Sequence, residues 1–267
     1  MSALRLLGSE LRLVFGRRRN QFGLAVLTVV PILMGIALKV QRGRPGGGLV
    51  GAATNGPFLA IASLTLETTI FLPLAISMVA GDSIAGESQQ GTLRYLLTVP
   101  AGRTRLLAVK YASIVVGAFA AVLLVAVVGV VLGVALFGAD PMTSMSGTPL
   151  PFAAALGRTV LVVGYLGVGV AALGAVGLFV STLTEQPLAA TIATMVVVAL
   201  SWIAEGVTQL AWLQPWLLTH WFLNAVDLVR DPILTTNVVR GLQLDAAYIV
   251  VFVLAAWARF TTRDVTS

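Results

Sequence analysis

Residues 106–138 read LLAVKYASIVVGAFAAVLLVAVVGVVLGVALFG, a run that contains one charged side chain, Lys110. A helix needs about 20 predominantly apolar residues to cross the hydrocarbon core of a bilayer. This run exceeds that length, and it therefore predicts a membrane-spanning helix. Gly129 and Gly133 lie within it at the Gly-x-x-x-Gly spacing, which allows two membrane helices to approach closely.

The composition extends this conclusion to the whole chain. Its 267 residues are 58% hydrophobic and 10% charged, and the mean hydropathy is +0.96. Because soluble domains carry about 25% charged residues, the composition excludes a soluble globular domain, a disordered chain and a nucleic-acid-binding protein. The chain has no cysteine and one histidine, which excludes disulfides, thiolate metal sites and multi-histidine metal sites.

Apolar runs between charged residues predict an all-α integral membrane protein with six membrane-spanning helices. The predicted spans are residues 21–38, 57–80, 106–138, 157–180, 187–204 and 244–260. We expect residues 1–267 to form one transmembrane domain. We also expect the first span to stay in the mature protein, because no convincing signal-peptide cleavage site follows it.

Residues 205–243 form a tryptophan-rich segment between the fifth and sixth spans. Its polar side chains, such as Gln209 and Asn224, would need partners in hydrocarbon, whereas tryptophan prefers the membrane interface. The tryptophans in and beside this segment are Trp202, Trp212, Trp216 and Trp221. We predict re-entrant or interfacial helices here rather than a seventh span, which would move the C-terminus to the opposite side.

The distribution of charge predicts the orientation. With six spans, both termini lie on one side together with the second-to-third loop and the fourth-to-fifth loop. These segments carry the whole formal excess of +6. By the positive-inside rule we expect them on the cytoplasmic side of the cell (plasma or inner) membrane.

Residues 1–20 predict an amphipathic helix at the membrane surface. Its apolar face holds Leu4, Leu7, Leu11 and Val14, and its polar face holds Arg5, Ser9 and Arg12. Such a helix lies in the headgroup plane with its basic face toward anionic lipid. We expect it to be a membrane anchor, a lever packed against a cytoplasmic partner, or both.

Residues 81–105 form the predicted cytoplasmic loop between the second and third spans. Leu93, Leu96 and Leu97 make an apolar stripe on a short helix that Pro100 ends. The loop also contains Gly-x-x-x-x-Gly-Thr over residues 86–92, but the lysine of the phosphate-binding pattern is absent. We therefore expect no nucleotide binding, and any ATP must be bound by a separate polypeptide.

Several short motifs follow one another in this loop. They are Ala85-Gly-Glu87, Gly91-Thr92-Leu93, Leu96-Leu97, Pro100, Arg103 and Lys110. Together they resemble the signature of type-2 ABC (ATP-binding cassette) transporter permeases, the membrane subunits of many exporters. The basic entry at Arg17–Arg19, the predicted spans, the tryptophan-rich segment and the ending at Phe260-Thr-Thr-Arg263-Asp264 extend the resemblance over nearly the whole chain.

The resemblance implies the partners of the chain. Such a permease dimerises, as a homodimer or a heterodimer, and binds ATPase (nucleotide-binding) subunits on its cytoplasmic face. ATP and Mg would be held by those subunits. This chain would bind no cofactor and would not itself be an enzyme.

The resemblance also implies an interface with the ATPase, with a coupling helix around residues 87–98. Its expected residues are Asp82, Glu87, Gly91, Thr92, Leu93, Leu96, Leu97, Pro100, Arg103 and Arg105. In that role the two acids would pair with the ATPase or brace the loop. The glycine would permit close backbone approach, the threonine would cap the helix, and the arginines would hold lipid headgroups or the ATPase surface. For each residue the alternative is a solvated loop that obeys the positive-inside rule.

Glu67 is a charged residue near the middle of the second predicted span. An unpaired carboxylate there costs at least about 2.5–3.5 kcal/mol. We expect Glu67 either to line the substrate path or form a proton site, or to be a buried carboxyl paired with Thr65, Thr68 or another helix. Glu205 and His220 are expected near the outer interface without catalytic roles.

These observations favour an ATP-driven exporter of a hydrophobic drug, peptide or lipid that works by alternating access. A second hypothesis keeps the fold but makes the chain a mechanical transmitter from the ATPase to an extracytoplasmic partner, with Arg42–Arg44 and the tryptophan-rich segment as the outer surface. A proton-coupled carrier that uses Glu67 is a third. An intramembrane hydrolase is disfavoured, because the chain has no G-x-S-x-G or H-E-x-x-H motif.

Overall fold

The computed structural model describes residues 3–42, 55–91 and 102–262. The described residues form eight α-helices. These are α1 (Ala3–Gly16), α2 (Arg18–Arg42), α3 (Gly56–Glu67), α4 (Phe71–Gln89), α5 (Arg103–Phe137), α6 (Phe152–Leu183), α7 (Pro187–Glu205) and α8 (Thr235–Thr262). A short antiparallel hairpin of β1 (Met142–Thr143) and β2 (Pro149–Leu150) joins α5 to α6, so the helical prediction holds except at this hairpin.

Five helices are long and apolar enough to cross a membrane by length and composition, namely α2, α5, α6, α7 and α8. The pair α3 and α4 passes the same criterion together but is bent by 59° at a short break. The pair is therefore either a sixth, broken span or a re-entrant loop. A multi-pass helical membrane protein is confirmed, and the number of six spans stays a prediction.

The break between α3 and α4 interrupts the predicted span over residues 57–80. Pro73 explains its position, because proline lacks an N–H and its ring clashes with the carbonyl four residues earlier, here that of Thr69. The chain accommodates Pro73 by starting a new helix at Phe71, which places the proline in a first turn, where it is tolerated.

Helix α6 lies at the centre of the bundle, packed against α4, α5 and α8. Helix α5 packs closely against α3 through the Gly-x-x-x-Gly motif. A Cβ atom added at Gly129 would lie 2.5 Å from the Cα of Ala60, and one added at Gly133 would lie 2.5 Å from the Cα of Gly56. The small residues therefore serve a contact within the chain.

Helix α1 confirms the predicted N-terminal helix, and it lies against α5 and α2. Arg5, Ser9 and Arg12 on its polar face are exposed. Glu10 differs from these polar residues, because it lies on the opposite, apolar face of α1 and is buried.

The segment between α7 and α8, where re-entrant or interfacial helices are predicted, contains three short 3₁₀ helices. These are Thr208–Leu210, Gln214–Trp216 and Phe222–Val229. No helix in this fully described segment is long enough to span a membrane. Helix α8 begins at Thr235, nine residues before the predicted sixth span.

Candidate functional site

Lys110, two turns into α5, is completely buried at 0% exposure. Its Nζ atom lies 2.6 Å from Oε1 of Glu87 on α4. The same Nζ lies 3.3 Å and 3.4 Å from the two carboxylate oxygens of Glu10 on α1. A buried charge is stable only when it is paired and hydrogen-bonded, and Lys110 meets this condition by joining three helices.

A second set of ion pairs lies next to the first. Asp82 on α4 accepts from Nη1 of Arg17 at 3.1 Å, and it also pairs with Arg19 at the start of α2. Arg19 donates a further hydrogen bond to the backbone oxygen of Met78 at 3.2 Å. These contacts attach the start of α2 to α4.

The junction of α1 and α2 is also closed by side chains. The side-chain amide of Asn20 donates to the backbone oxygen of Val14 at 2.8 Å, and that of Gln21 donates to the oxygen of Phe15 at 2.9 Å. They satisfy carbonyls of the last turn of α1, which have no partner within the helix. The turn between the two helices is therefore held in one geometry.

Together these residues form what we call the ion cluster: Glu10, Arg17, Arg19, Asp82, Glu87 and Lys110. Its charges balance, with three cations and three carboxylates. It joins α1, α2, α4 and α5 at the end of the bundle where α4 ends and α5 begins. A cleft of about 630 Å³ adjoins it, lined by Arg17, Asp82, Gly86, Gln90 and Gln186 among others.

The ion cluster contains two of the predicted interface residues. Asp82 and Glu87 are both buried and paired inside the chain, which is the bracing arrangement among the two roles expected for them. Glu87 also lies in the last turn of α4 rather than at the start of a separate helix. Contact of either residue with an ATPase stays a prediction.

Of the remaining predicted interface residues, three are described by the structure and five are not. Gly91 follows the last turn of α4 with φ +68°, a left-handed conformation that glycine adopts where helices end. Arg103 donates to the backbone oxygen of Thr261 at 2.8 Å, and Arg105 is exposed. Thr92, Leu93, Leu96, Leu97 and Pro100 lie outside the described residues.

Glu67 is the last residue of α3 and is fully buried. Neither carboxylate oxygen has a hydrogen-bond partner among the described residues. The Thr65 and Thr68 hydroxyls donate instead to the backbone oxygens of Ile61 and Thr65. Among the alternatives expected for Glu67, pairing with these two threonines is therefore wrong, and the described residues offer its carboxylate no hydrogen bond.

A cavity of about 450 Å³ lies beside the same part of α3. One face of α3 lines it at helical spacing, and Glu67 is not among its described lining residues. The hairpin and the third 3₁₀ helix also line this cavity. The lining includes Phe58, Ile61, Thr65, Thr69, Met142 and Leu223.

Three features of the site escaped the sequence reasoning. Glu10 lies on the packed face of α1, and its helical spacing from Leu7 and Val14 could have indicated this burial. Asp245 is buried at 3% exposure about three turns into α8. His220 and Glu205 were each expected at the outer interface, and the Nδ1 atom of His220 lies 2.9 Å from Oε1 of Glu205. No local sequence pattern indicated this pair.

The described residues contain no group of three or more histidine, cysteine or acidic side chains that could hold a metal ion. What the fold defines is a multi-pass α-helical membrane protein with a cluster of buried, paired charges at one end of the bundle. The chain belongs to the family described as "Protein of unknown function (DUF2705)", whose model matches residues 50–266.

Two curated proteins resemble part of the chain. Both are named "Probable ABC transporter permease protein NosY". The protein from Pseudomonas aeruginosa is 40% identical over 94 residues, and that from Stutzerimonas stutzeri is 38% identical over 94 residues. The similarity covers 35% of this chain and about a third, 32%, of the length of each relative.

Proposed function

We propose that this chain is the membrane-spanning permease subunit of an ABC transporter of the type-2 class. The observation that carries the proposal is the 40% identity over 94 residues to a protein named as an ABC transporter permease. The helical membrane bundle and the motifs of residues 81–105 support it. The two lines are independent, because the bundle depends on hydropathy and the motifs depend on particular residues.

In this proposal the chain dimerises and binds ATPase subunits that hold ATP and Mg. The contact runs through residues 81–105, on the cytoplasmic side of the cell membrane, where both termini also lie. The excess positive charge of these segments supports this orientation. The exposed Arg105 and the cleft beside Arg17 offer polar surface for the ATPase or for lipid headgroups.

The proposed activity is export of an apolar molecule by alternating access. The cavity of about 450 Å³ supports an apolar cargo, since its size is in the range of ligand pockets, about 300–1,000 Å³, and the described lining residues are uncharged. Glu67 is proposed to belong to the same path, reached when α3 and α4 change their bend.

The test uses the chain together with candidate ABC ATPase subunits from the same organism. The two are co-expressed, purified as a complex and reconstituted into liposomes, and ATP hydrolysis and ATP-dependent flux of fluorescent lipid and drug probes are measured. A stable complex with ATP-dependent flux is expected. No complex and no flux would overturn the proposal.

Matched variants locate the contact. Leu96→Asp and Leu97→Asp are expected to dissociate the ATPase, because a charge replaces an apolar contact. Met145→Asp, at an exposed hairpin residue at the other end of α5, is expected to leave the complex intact. Dissociation by the hairpin variant with no effect of the loop variants would contradict this assignment.

The transmitter hypothesis predicts a different outcome of the same reconstitution. The complex would form and hydrolyse ATP, with no flux of any probe. Hydrolysis would then respond to an extracytoplasmic partner, and variants of the exposed Trp212 and Trp216 would abolish that response.

A further inference from the structure

The contact between Glu87 and Lys110 joins the end of one helix to the beginning of the next. Glu87 lies in the last turn of α4, and Lys110 lies two turns into α5. The distance of 2.6 Å between Oε1 and Nζ makes this a short, charge-assisted hydrogen bond. The two helix ends are therefore tied together at their base.

Glu10 brings the N-terminal helix into the same contact. Its carboxylate lies 3.3 Å from the Lys110 ammonium, so one cation holds carboxylates from two different helices. The three side chains are 1%, 10% and 8% exposed for Lys110, Glu10 and Glu87. The three side chains are therefore largely shielded from bulk solvent.

This burial makes the arrangement stiff. Apolar side chains at a helix interface can slide and repack, but a buried ammonium needs its partners at hydrogen-bond distance. Moving α1 away from α4 and α5 would leave Lys110 with one carboxylate and Glu10 with none. The three helix segments are thus expected to move together or not at all.

We propose that Lys110 is the positioning residue that holds the end of α4, the beginning of α5 and α1 as one rigid body. The inference rests on the proposed function, because these helix ends flank the segment expected to contact the ATPase. A displacement produced there would be carried directly to α1 in the headgroup region. Asp82, Arg17 and Arg19 extend the body to the start of α2.

The first test measures the geometry of the chain alone in lipid nanodiscs. The chain has no cysteine, so the exposed Arg12 on α1 and Gln90 after α4 can be replaced by cysteine and spin-labelled without background. A single narrow distance distribution is expected for this double-cysteine chain. Lys110→Met should broaden it at least twofold, and Lys110→Arg should keep it narrow.

The matched control is Lys39→Met, which removes the only other lysine, an exposed one on α2. It is expected to leave the distribution unchanged. An unchanged distribution in Lys110→Met, with the same elution profile and helicity as the parent, would overturn the proposal. If Lys110→Met does not fold, Glu10→Leu takes its place, because it removes the carboxylate of α1 and leaves the Glu87–Lys110 pair. It is expected to broaden the distribution, and an unchanged distribution would overturn the proposal.

The second test uses the two lysines themselves. With an amine-reactive reagent and mass spectrometry, Lys39 is expected to react and Lys110 to be protected, also in the complex with the ATPase and ATP. Glu87→Gln should raise the reaction rate of Lys110 at least tenfold. Reaction of Lys110 as fast as Lys39 in the unmodified chain would contradict a closed cluster.

A readout on the complex separates positioning from stability. If Lys110 positions the helix ends, Lys110→Met should keep ATP hydrolysis and lose most ATP-dependent flux, while Lys110→Arg restores it. Full flux in Lys110→Met would overturn the proposal. Failure of the ATPase to bind the unmodified chain would instead overturn the proposed function, and the distances in nanodiscs would still decide the role of Lys110.

Discussion

Lys110 and Glu67 are both fully buried ionisable residues, and they differ in their hydrogen-bond partners. Lys110 has two carboxylates at hydrogen-bond distance, and Glu67 has no hydrogen-bond partner among the described residues. Both positions were visible in the sequence as charges within apolar runs. Only the side-chain contacts distinguish the charge that joins three helices from the one that has no partner among the described residues.

The first prediction concerns Glu67. Glu67→Leu should raise the thermal midpoint in detergent, because it removes a buried carboxyl that has no hydrogen-bond partner among the described residues, and an unpaired carboxylate inside a membrane costs at least about 2.5–3.5 kcal/mol. Intrinsic tryptophan fluorescence gives the measurement. Glu205→Leu is the control and should not be stabilising, because Glu205 is paired with His220 at 2.9 Å.

The outcome for activity separates the two roles of Glu67. A more stable variant that has lost transport would mean that the carboxyl serves the cargo or a proton. A less stable variant would contradict the absence of a partner for this carboxyl.

The second prediction concerns the stability of the ion cluster. Removing one partner of a buried pair costs about 3–5 kcal/mol, whereas neutral replacement of the whole group is often tolerated. Lys110→Met should therefore lower the thermal midpoint clearly. Adding Glu10→Gln and Glu87→Gln should recover part of the loss, and Lys39→Met should stay close to the parent. A triple variant less stable than Lys110→Met would show that this reasoning is wrong.

At the scale of helices, small residues and one proline determine how α3 meets its neighbours. Gly129 and Gly133 bring the backbone of α5 onto that of α3, and Pro73 explains why α3 stops short of α4. The result is a short helix pressed against a long one, with a cavity along another of its faces. Pro73 thus determines the position of the 59° bend, and the packing of α3 against α5 stabilises it.

The third prediction tests the packing of α5 against α3. Gly129→Ala puts a Cβ atom 2.5 Å from the Cα of Ala60, and such overpacking costs about 1–3 kcal/mol. Gly164→Ala on α6 is the matched control, since its Cβ would meet no atom within 4 Å. It should be neutral or slightly stabilising, because alanine favours a helix over glycine. Equal effects of the two substitutions in thermal unfolding would contradict the close approach.

At the scale of the whole molecule, the two ends of α5 separate two different surfaces. Its 35 residues span about 52 Å at 1.5 Å per residue, which exceeds the hydrocarbon thickness of about 30 Å. The ion cluster lies near one end, and the hairpin follows the other. Any orientation that exposes the hairpin to one compartment therefore places the ion cluster toward the opposite one.

The fourth prediction tests the orientation. Gln90→Cys and Met145→Cys, both at exposed positions, are made one at a time in a chain that has no other cysteine. A membrane-impermeant maleimide added to intact cells should label position 145 and should label position 90 only after permeabilisation. The unmodified chain is the blank. The reverse labelling pattern would contradict the positive-inside assignment.

Much of the fold followed from local patterns. Apolar runs located the spanning helices to within a few residues at most of their ends, and the spacing of Leu7, Leu11 and Val14 predicted α1. The early start of α8 at Thr235 was missed because its first turns are polar and amphipathic. Between α7 and α8 the sequence predicted re-entrant or interfacial helices, but it did not indicate that they would be three short 3₁₀ helices.

Less of the site could be predicted. Asp82 and Glu87 were predicted to lie at an ATPase interface, which stays a prediction, and their partners Arg17 and Lys110 lie in other parts of the chain. The resemblance to ABC permeases suggested a role for the loop without supplying these contacts. Glu10 was read as part of a surface helix, although its position on the packed face carried a signal of burial.

By itself, the sequence determined that this is a multi-pass membrane protein and roughly where its helices run, and it predicted which side carries the positive charge. These properties are sums over neighbouring residues, so hydropathy and charge along the chain are sufficient for them. Only the tertiary structure decided that Lys110 joins Glu87 to Glu10, that Gly129 packs on Ala60, and that Glu67 has no partner among the described residues. Those outcomes depend on which residues from distant parts of the chain come into contact. Away from water, each buried contact, or the lack of one, changes the free energy of folding strongly.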